Sequence, residues 1–236
     1  MLFAPRTHRA GRGSSRFWKV SSCTDGSSAR ISSGARRAGS LYAIVHCGDT
    51  GRHGCGGHGH NDQLSFELVA NGDMLVVDPG TYLYTADPAE RNRFRSTAFH
   101  STLRVGGAEQ NELREDDLFL MADRSRAEAL SWDDAAFEGR HHGFPDTTHT
   151  RRIELGDGEL RIRDTVTSAA AQELEWTFPL APGAEGKIEI QGLDFRPEEG
   201  SYSPRYGVRV PTTFLRARRT SRPGEDVTEL VVRASV

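Results

Sequence analysis

Residues 46–62 read HCGDTGRHGCGGHGHND, so four histidines, two cysteines and two aspartates stand among glycines. Imidazole, thiolate and carboxylate are the groups that ligate zinc, and imidazole also moves protons near neutral pH. His58 and His60 are two residues apart, so in an extended segment they point to the same side. Asp78 follows the run Met74–Val77 and precedes Pro79-Gly80, and His100 precedes the run Ser101–Val105. His60 and Asp78 flank Asn71-Gly72. If that dipeptide is a hairpin tip, both fall near the same open end. Two imidazoles and a carboxylate, with water or another side chain as fourth ligand, are a zinc set. Ordinary turn and strand-edge residues would show the same spacing, and spacing alone leaves both readings open.

Other chemistry is less well supported. Cys55 lies three residues before His58, but a glycine-rich loop constrains it little, and a free or buried thiol is the simpler reading. A phosphate cradle would need Gly-Lys-Ser/Thr and a following helix, and neither is present. His141, His142 and His149 fall in a polar connecting region and are expected to face solvent.

The elements that must hold these groups read as strands. Leu41–Cys47 is a short apolar run. Leu64, Phe66, Leu68 and Ala70 alternate with more polar neighbours up to Asn71-Gly72, and Met74–Val77 returns. Residues 152–155 and 160–166 flank Gly156-Asp157-Gly158, another tight hairpin. Leu174, Trp176, Phe178 and Leu180 share one face, with Glu173, Glu175 and Thr177 on the other. Ile188, Ile190 and Val227–Val232 add strands. Only Ala86–Arg95 offers a short helix or an irregular loop. Many short alternating strands predict an all-β fold, an antiparallel β-sandwich.

The 236 residues carry a net charge of -3, and 36% are hydrophobic. No run approaches the roughly 18 apolar residues of a membrane helix. No apolar stretch of signal-peptide type follows Met1. Three cysteines are too few for a disulfide scaffold. Residues 1–40 hold eight Arg or Lys against one acid, Asp25, leaving 22 basic and 32 acidic residues in 41–236. The first forty are Arg/Ser/Gly-rich without apolar periodicity, so they read as disordered, or as a truncated or frame-shifted start. Neither aromatic interleaving nor a basic helix supports a nucleic-acid arm there. The folded domain is expected over 41–236. Arginine is nearly the only base, a compositional bias that says little about ligands.

The stretch GGHGHNDQLSFELVANGDMLVVDPGTYLYTADPAERNRFRSTAFHSTLRVGGAEQNE resembles the core of the heparinase II/III-like polysaccharide lyases. The family pattern Gly-His-x-His-x-Asp matches Gly57–Asp62, Asp-Pro-Gly-Thr-Tyr matches Asp78–Tyr82, and Phe-Arg-Ser-Thr-x-x-His-Asn-Thr matches Phe94–Thr102, with Ser101 in place of the usual Asn. The resemblance implies a β-sandwich that normally follows a helical toroid. It implies a mainly structural zinc held by His60, Asp78 and His100. It makes His58 the substrate-facing catalytic histidine and Tyr82, Tyr84 and Arg95 groove residues. It also implies an acidic, uronate-containing polysaccharide cleaved by β-elimination, in the cell envelope or outside the cell.

Forty non-helical residues before Leu41 cannot form a toroid, so the chain by itself is expected to be a poor catalyst that needs a separate toroid domain. A different class is a non-catalytic carbohydrate-binding sandwich, with Tyr82, Tyr84, Phe94 and Phe99 as platforms or core. A third reading is a cupin-like metal enzyme, for which Glu67 stands at an unsuitable spacing.

Overall fold

The computed structural model describes residues 19–23, 30–51, 56–133, 136–156 and 158–235. In chain order the strands begin with β1 (Lys19–Cys23), β2 (Arg30–Ala38), β3 (Leu41–His46), β4 (Phe66–Ala70) and β5 (Asp73–Val76). A helix α1 (Pro88–Phe94) and a 3-10 turn (Thr97–Phe99) lead to β6 (Leu103–Val105). Next come β7 (Glu128–Trp132), β8 (Ala136–Phe144), β9 (Thr147–Leu155), β10 (Glu159–Ser168), β11 (Glu173–Pro179) and β12 (Ile188–Gln191). The chain closes with β13 (Arg196–Arg205), β14 (Val208–Thr220) and β15 (Gly224–Ala234).

These strands form three antiparallel sheets, ordered β1-β2-β3-β4-β5, β12-β15-β10-β9-β8-β7 and β13-β14-β11-β6. Period-two burial drives the assembly: β4 and β9 each bury every second residue. The inward faces of all three sheets meet in one apolar cluster that includes Leu41, Phe66, Ile153, Leu160, Trp176 and Leu230. The fold is the all-β sandwich that the alternation predicts.

The hairpin at Asn71-Gly72 pairs Ala70 with Asp73, and both turn residues have positive φ, 53° and 92°. That is the primed turn whose twist matches antiparallel strands. Val77 N donates to Pro179 O, and Ala181 N to Leu75 O, which ties the first sheet to the third. The short helix is capped by Asp87, whose carboxylate accepts from Glu90 N, with Pro88 in the first turn.

Two strands, β1 and β2, lie before Leu41, inside the segment whose composition reads as disordered. Residues Ser33–Ala38 pair with Leu41–His46. A backbone ladder needs no apolar run, and Gly34 and Ala38 bury their small side on the sheet while Arg37 stays outside. Residues 1–18 and 24–29, and Cys55, lie outside the described residues.

His141 and His149 depart from the expectation of solvent exposure: both are fully buried. Alternation in β8 and β9 aims them, with Arg151, at the core, where Asp164 of β10 receives His149 Nε2 at 2.7 Å. Of the three, only His142 is exposed. Phe94 and Phe99 are core residues, packed with Phe214 in a satellite apolar cluster.

Candidate functional site

The loop between β3 and β4 alternates its side chains as a strand would. His60 and Asp62 face a cleft, while Asn61 and Gln63 point inward and are fully buried. The inward pair anchors the loop. Asn61 Nδ2 donates to Asn111 O (2.8 Å) and Glu109 Oε2 (2.9 Å), and Asn111 N donates back to Asn61 Oδ1 (2.9 Å). Gln63 exchanges bonds with Gly48, while its backbone N donates to Gln110 Oε1 at 2.8 Å.

The outward pair meets two further groups. Asp78 follows β5, and His100 follows the 3-10 turn. His60 Nδ1 lies 3.0 Å from His100 Nε2, and Asp78 Oδ2 lies 3.4 Å from the same nitrogen. One ligand atom from each residue falls within 4.8 Å of the others. Three donors of this kind with an open fourth position suit zinc. The supporting bonds fit that role. His100 Nδ1 donates to Ser96 O at 2.8 Å, which leaves Nε2 bare toward the centre. Asp78 Oδ1 accepts Gly80 N at 2.8 Å, which leaves Oδ2 available. Burial, with the neighbouring His100, holds His60 down to about 4, so its ring is neutral at physiological pH and offers a lone pair.

The cleft, about 560 Å³, is lined by His46, His58, His60 and His100 and by four acids, Asp49, Asp62, Glu67 and Asp78. No lysine or arginine lines it among the described residues. His46, at the end of β3, pairs through Nδ1 with Asp62 Oδ2 at 3.0 Å. Burial works against its charge, but Asp62, Asp78 and Glu67 outweigh burial and raise His46 above its usual value. Asp62 is held well below the usual carboxylate range: burial opposes its charge, and His46 overcomes burial. Glu67 is raised by burial first and then by Asp78.

His58 is exposed at the mouth of the cleft, its ring edge-on to Tyr84 (5.3 Å) and Phe119 (6.0 Å). Tyr84 also stacks with Tyr206 at 5.6 Å, with Arg91 over its ring at 4.9 Å. Tyr82 is half-buried against Phe94 at 5.2 Å, in a left-handed conformation with φ 58°. Arg95 is fully buried, donates from Nη1 to Leu118 O at 2.6 Å, and offers its own carbonyl to Asn61 N. Burial, then Arg91, pushes Arg95 down to about 10. His58, His60, Asp78 and His100 thus share the cleft, Tyr84 flanks His58, and Tyr82 and Arg95 pack behind it.

Sequence reasoning passed over His46, whose only signal is its place at the end of an apolar run. It also passed over Phe119 and Tyr206, which nothing local connects to His58. Cys47 is buried beneath the loop, and burial pushes its thiol up to about 12, which makes it inert.

Residues 21–198 match the family described as heparinase II/III-like, C-terminal. No curated protein sequence matches the chain. Among solved structures, the heparan sulfate lyase HepC from Pedobacter heparinus is 18% identical with a TM-score of 0.66, over 82% of this chain and 33% of that one. A structure titled heparinase III is 14% identical with a TM-score of 0.63, over 85% of this chain and 34% of that one. The BT4657 gene product, also titled heparinase III, is 18% identical with a TM-score of 0.62, over 81% of this chain and 32% of that one. At these identities the likeness shows a shared sandwich, and the chain spans about a third of the length of those structures. The match over residues 21–198 makes this chain a member of the heparinase II/III-like C-terminal family.

Proposed function

We propose that this sandwich serves a polysaccharide lyase that cleaves uronate-containing chains by β-elimination. The carrying observation is the convergence of His60, Asp78 and His100 in a cleft with His58 at its mouth. In such an elimination a base takes the C5 proton, the C4–O bond breaks, a C4–C5 double bond forms and the departing oxygen gains a proton. The C5 proton is acidic enough only when the adjacent carboxylate is neutralised. In this reading His58, exposed at the mouth of the cleft, hydrogen-bonds that carboxylate or carries a proton to or from the sugar.

The charge of the cleft bears on the metal. Among the described residues, four acids and no basic side chain other than histidine line the cleft, a charge that would repel a uronate. A zinc ion on His60, Asp78 and His100, when bound, supplies positive charge and braces the two loops. Asp62 and His46 add a second carboxylate–imidazole pair beside it. Catalysis draws further on a helical toroid domain in addition to the sandwich, so the 236 residues alone bind more than they turn over.

The test pairs metal analysis with two assays on the purified chain: binding of alginate and heparin, and the ultraviolet absorbance of unsaturated product. Zinc near one per chain, lost in His60→Ala, and binding lost in His58→Ala support the reading. A folded protein without metal or polysaccharide affinity sinks it. A second reading, a non-catalytic saccharide-binding module, is favoured by the exposed rings Phe119 and Tyr206 around Tyr84. Binding that persists in His58→Ala, with no product even when a toroid domain is supplied, selects it.

A further inference from the structure

Arg151 projects from β9 into the core with no exposed surface, and its three nitrogens divide into two tasks. Nε and Nη2 fork onto Asp164 at 2.7 and 2.9 Å. Asp164 also accepts His149 Nε2 at 2.7 Å and Trp176 Nε1 at 2.8 Å, so its acceptor capacity is filled. The remaining nitrogen, Nη1, donates to Leu64 O and to Ser101 O, both at 2.9 Å.

Those two carbonyls belong to the two loops that carry the imidazole ligands. Leu64 lies four residues after His60, and Ser101 directly follows His100. Leu64 adopts φ 60°, a conformation uncommon for leucine, and Arg151 holds the carbonyl that results. The same loops are stitched nearby: Thr102 Oγ1 donates to Gln63 O at 2.8 Å, and Ser101 Oγ accepts Phe66 N at 3.0 Å. Among the described residues, only Arg151 joins both loops through one planar group whose orientation is set from a different sheet.

We propose that Arg151, oriented by Asp164, is the positioning residue of the metal centre. It fixes the Leu64 and Ser101 carbonyls so that His60 and His100 stand at ligand spacing before an ion arrives. This rests on the metal reading of His60, Asp78 and His100. A lysine offers one compact ammonium that cannot hold the Asp164 fork and both carbonyls together. Preorganised ligands bind more tightly because the ordering cost is met on folding.

The test titrates zinc, and cobalt(II) as a spectroscopic probe of ligand geometry, into the full chain. Four proteins are compared: wild type, Arg151→Lys, Arg151→Met and His60→Ala. In Arg151→Met, His149 stands beside Asp164 to take up a proton and keep the carboxylate paired. The expected order of affinity is wild type, then Lys, then Met, with a total loss of about 10- to 100-fold and a shifted cobalt spectrum in variants that still melt cooperatively. A purely structural role would lower the melting temperature but leave the affinity and spectrum of the folded variant unchanged, and that result overturns the inference alone. Failure of both Arg151 variants to fold assigns the residue to the core and overturns it equally. A wild type that binds neither ion overturns the metal reading and this inference with it.

Discussion

Arg151 grips Asp164 through two nitrogens at 2.7 and 2.9 Å, and neither side chain is exposed. A buried ion pair is a weak source of net stability, because desolvation offsets the Coulomb gain. Breaking one is costly. Asp164→Ala leaves the guanidinium, His149 and Trp176 without their acceptor and is expected to destabilise the fold by about 3–5 kcal/mol. Trp176→Phe removes a single donor to Asp164 and should cost about 1–3 kcal/mol. Urea unfolding of the two variants beside wild type measures the difference, and equal losses would contradict the assigned role of Asp164.

Stability should fall as pH drops below about 6.5. Burial lowers His141, with His149 adding to the effect, and burial lowers His149 although Asp164 opposes it. The bonds are satisfied with both rings neutral: Gly143 N donates to His141 Nδ1, and His141 Nε2 faces His149 Nδ1 at 3.2 Å. Unfolded, each ring takes a proton below its ordinary value of 6.5. Folded, neither does until lower pH, so unfolding absorbs protons and acid favours it. Each contributes a slope approaching about 1.4 kcal/mol per pH unit below 6.5. Metal-free His60, held down to about 4, acts in the same sense. His46, raised by Asp62 against burial, acts in the opposite sense. Asp164, depressed by Arg151 and His149 against burial, loses its contribution only below about 3.8. Urea midpoints at pH 7, 6 and 5 should decline in wild type and decline less in His141→Gln.

Zinc should stabilise the chain by mass action. At a free concentration about a hundred times its dissociation constant, the ion adds about 2.7 kcal/mol. A chelator should reverse the gain. Asp78→Asn and His60→Ala should abolish it while leaving a cooperative melt. Calorimetry with and without zinc decides the matter, and a rise that survives in both variants would place the ion elsewhere.

Gly80→Ala should damage both the fold and the proposed metal centre. Gly80 has φ 82°, and an added Cβ would lie 2.3 Å from the backbone oxygen of Ser203. Its N–H also orients Asp78. Left-handed strain alone costs about 1–3 kcal/mol, and the close carbonyl adds to that. Gly72→Ala is the control, since φ is 92° there but nothing lies within 4 Å. Thermal melts should rank Gly80→Ala well below Gly72→Ala, with weaker zinc binding only in the former.

Much of the site could be read along the chain because it is built locally. His60 and Asp78 flank the β4–β5 hairpin, whose Asn71-Gly72 turn brings both to its open end. Period-two alternation predicts the sandwich. It also implies that alternate residues of β8 and β9 point inward, yet the polarity of His141 and His149 suggested solvent, because a buried imidazole depends on a partner that composition does not reveal. Asp164 is that partner, on the neighbouring strand. Arg151 reaches Leu64 and Ser101 across 87 and 50 residues, and Tyr206 reaches Tyr84 from the β13–β14 turn. The sequence alone determined the strands with clear alternation, such as β4, β5, β10, β11 and β15, together with the hairpin and the types of the candidate ligands, since these follow from local alternation and turn chemistry. By contrast, β1, β2 and β8 lie in stretches whose composition pointed elsewhere. Only the tertiary structure decided which imidazoles meet and what holds them, because those contacts exist only once the separate sheets have packed and their buried charges must find one another.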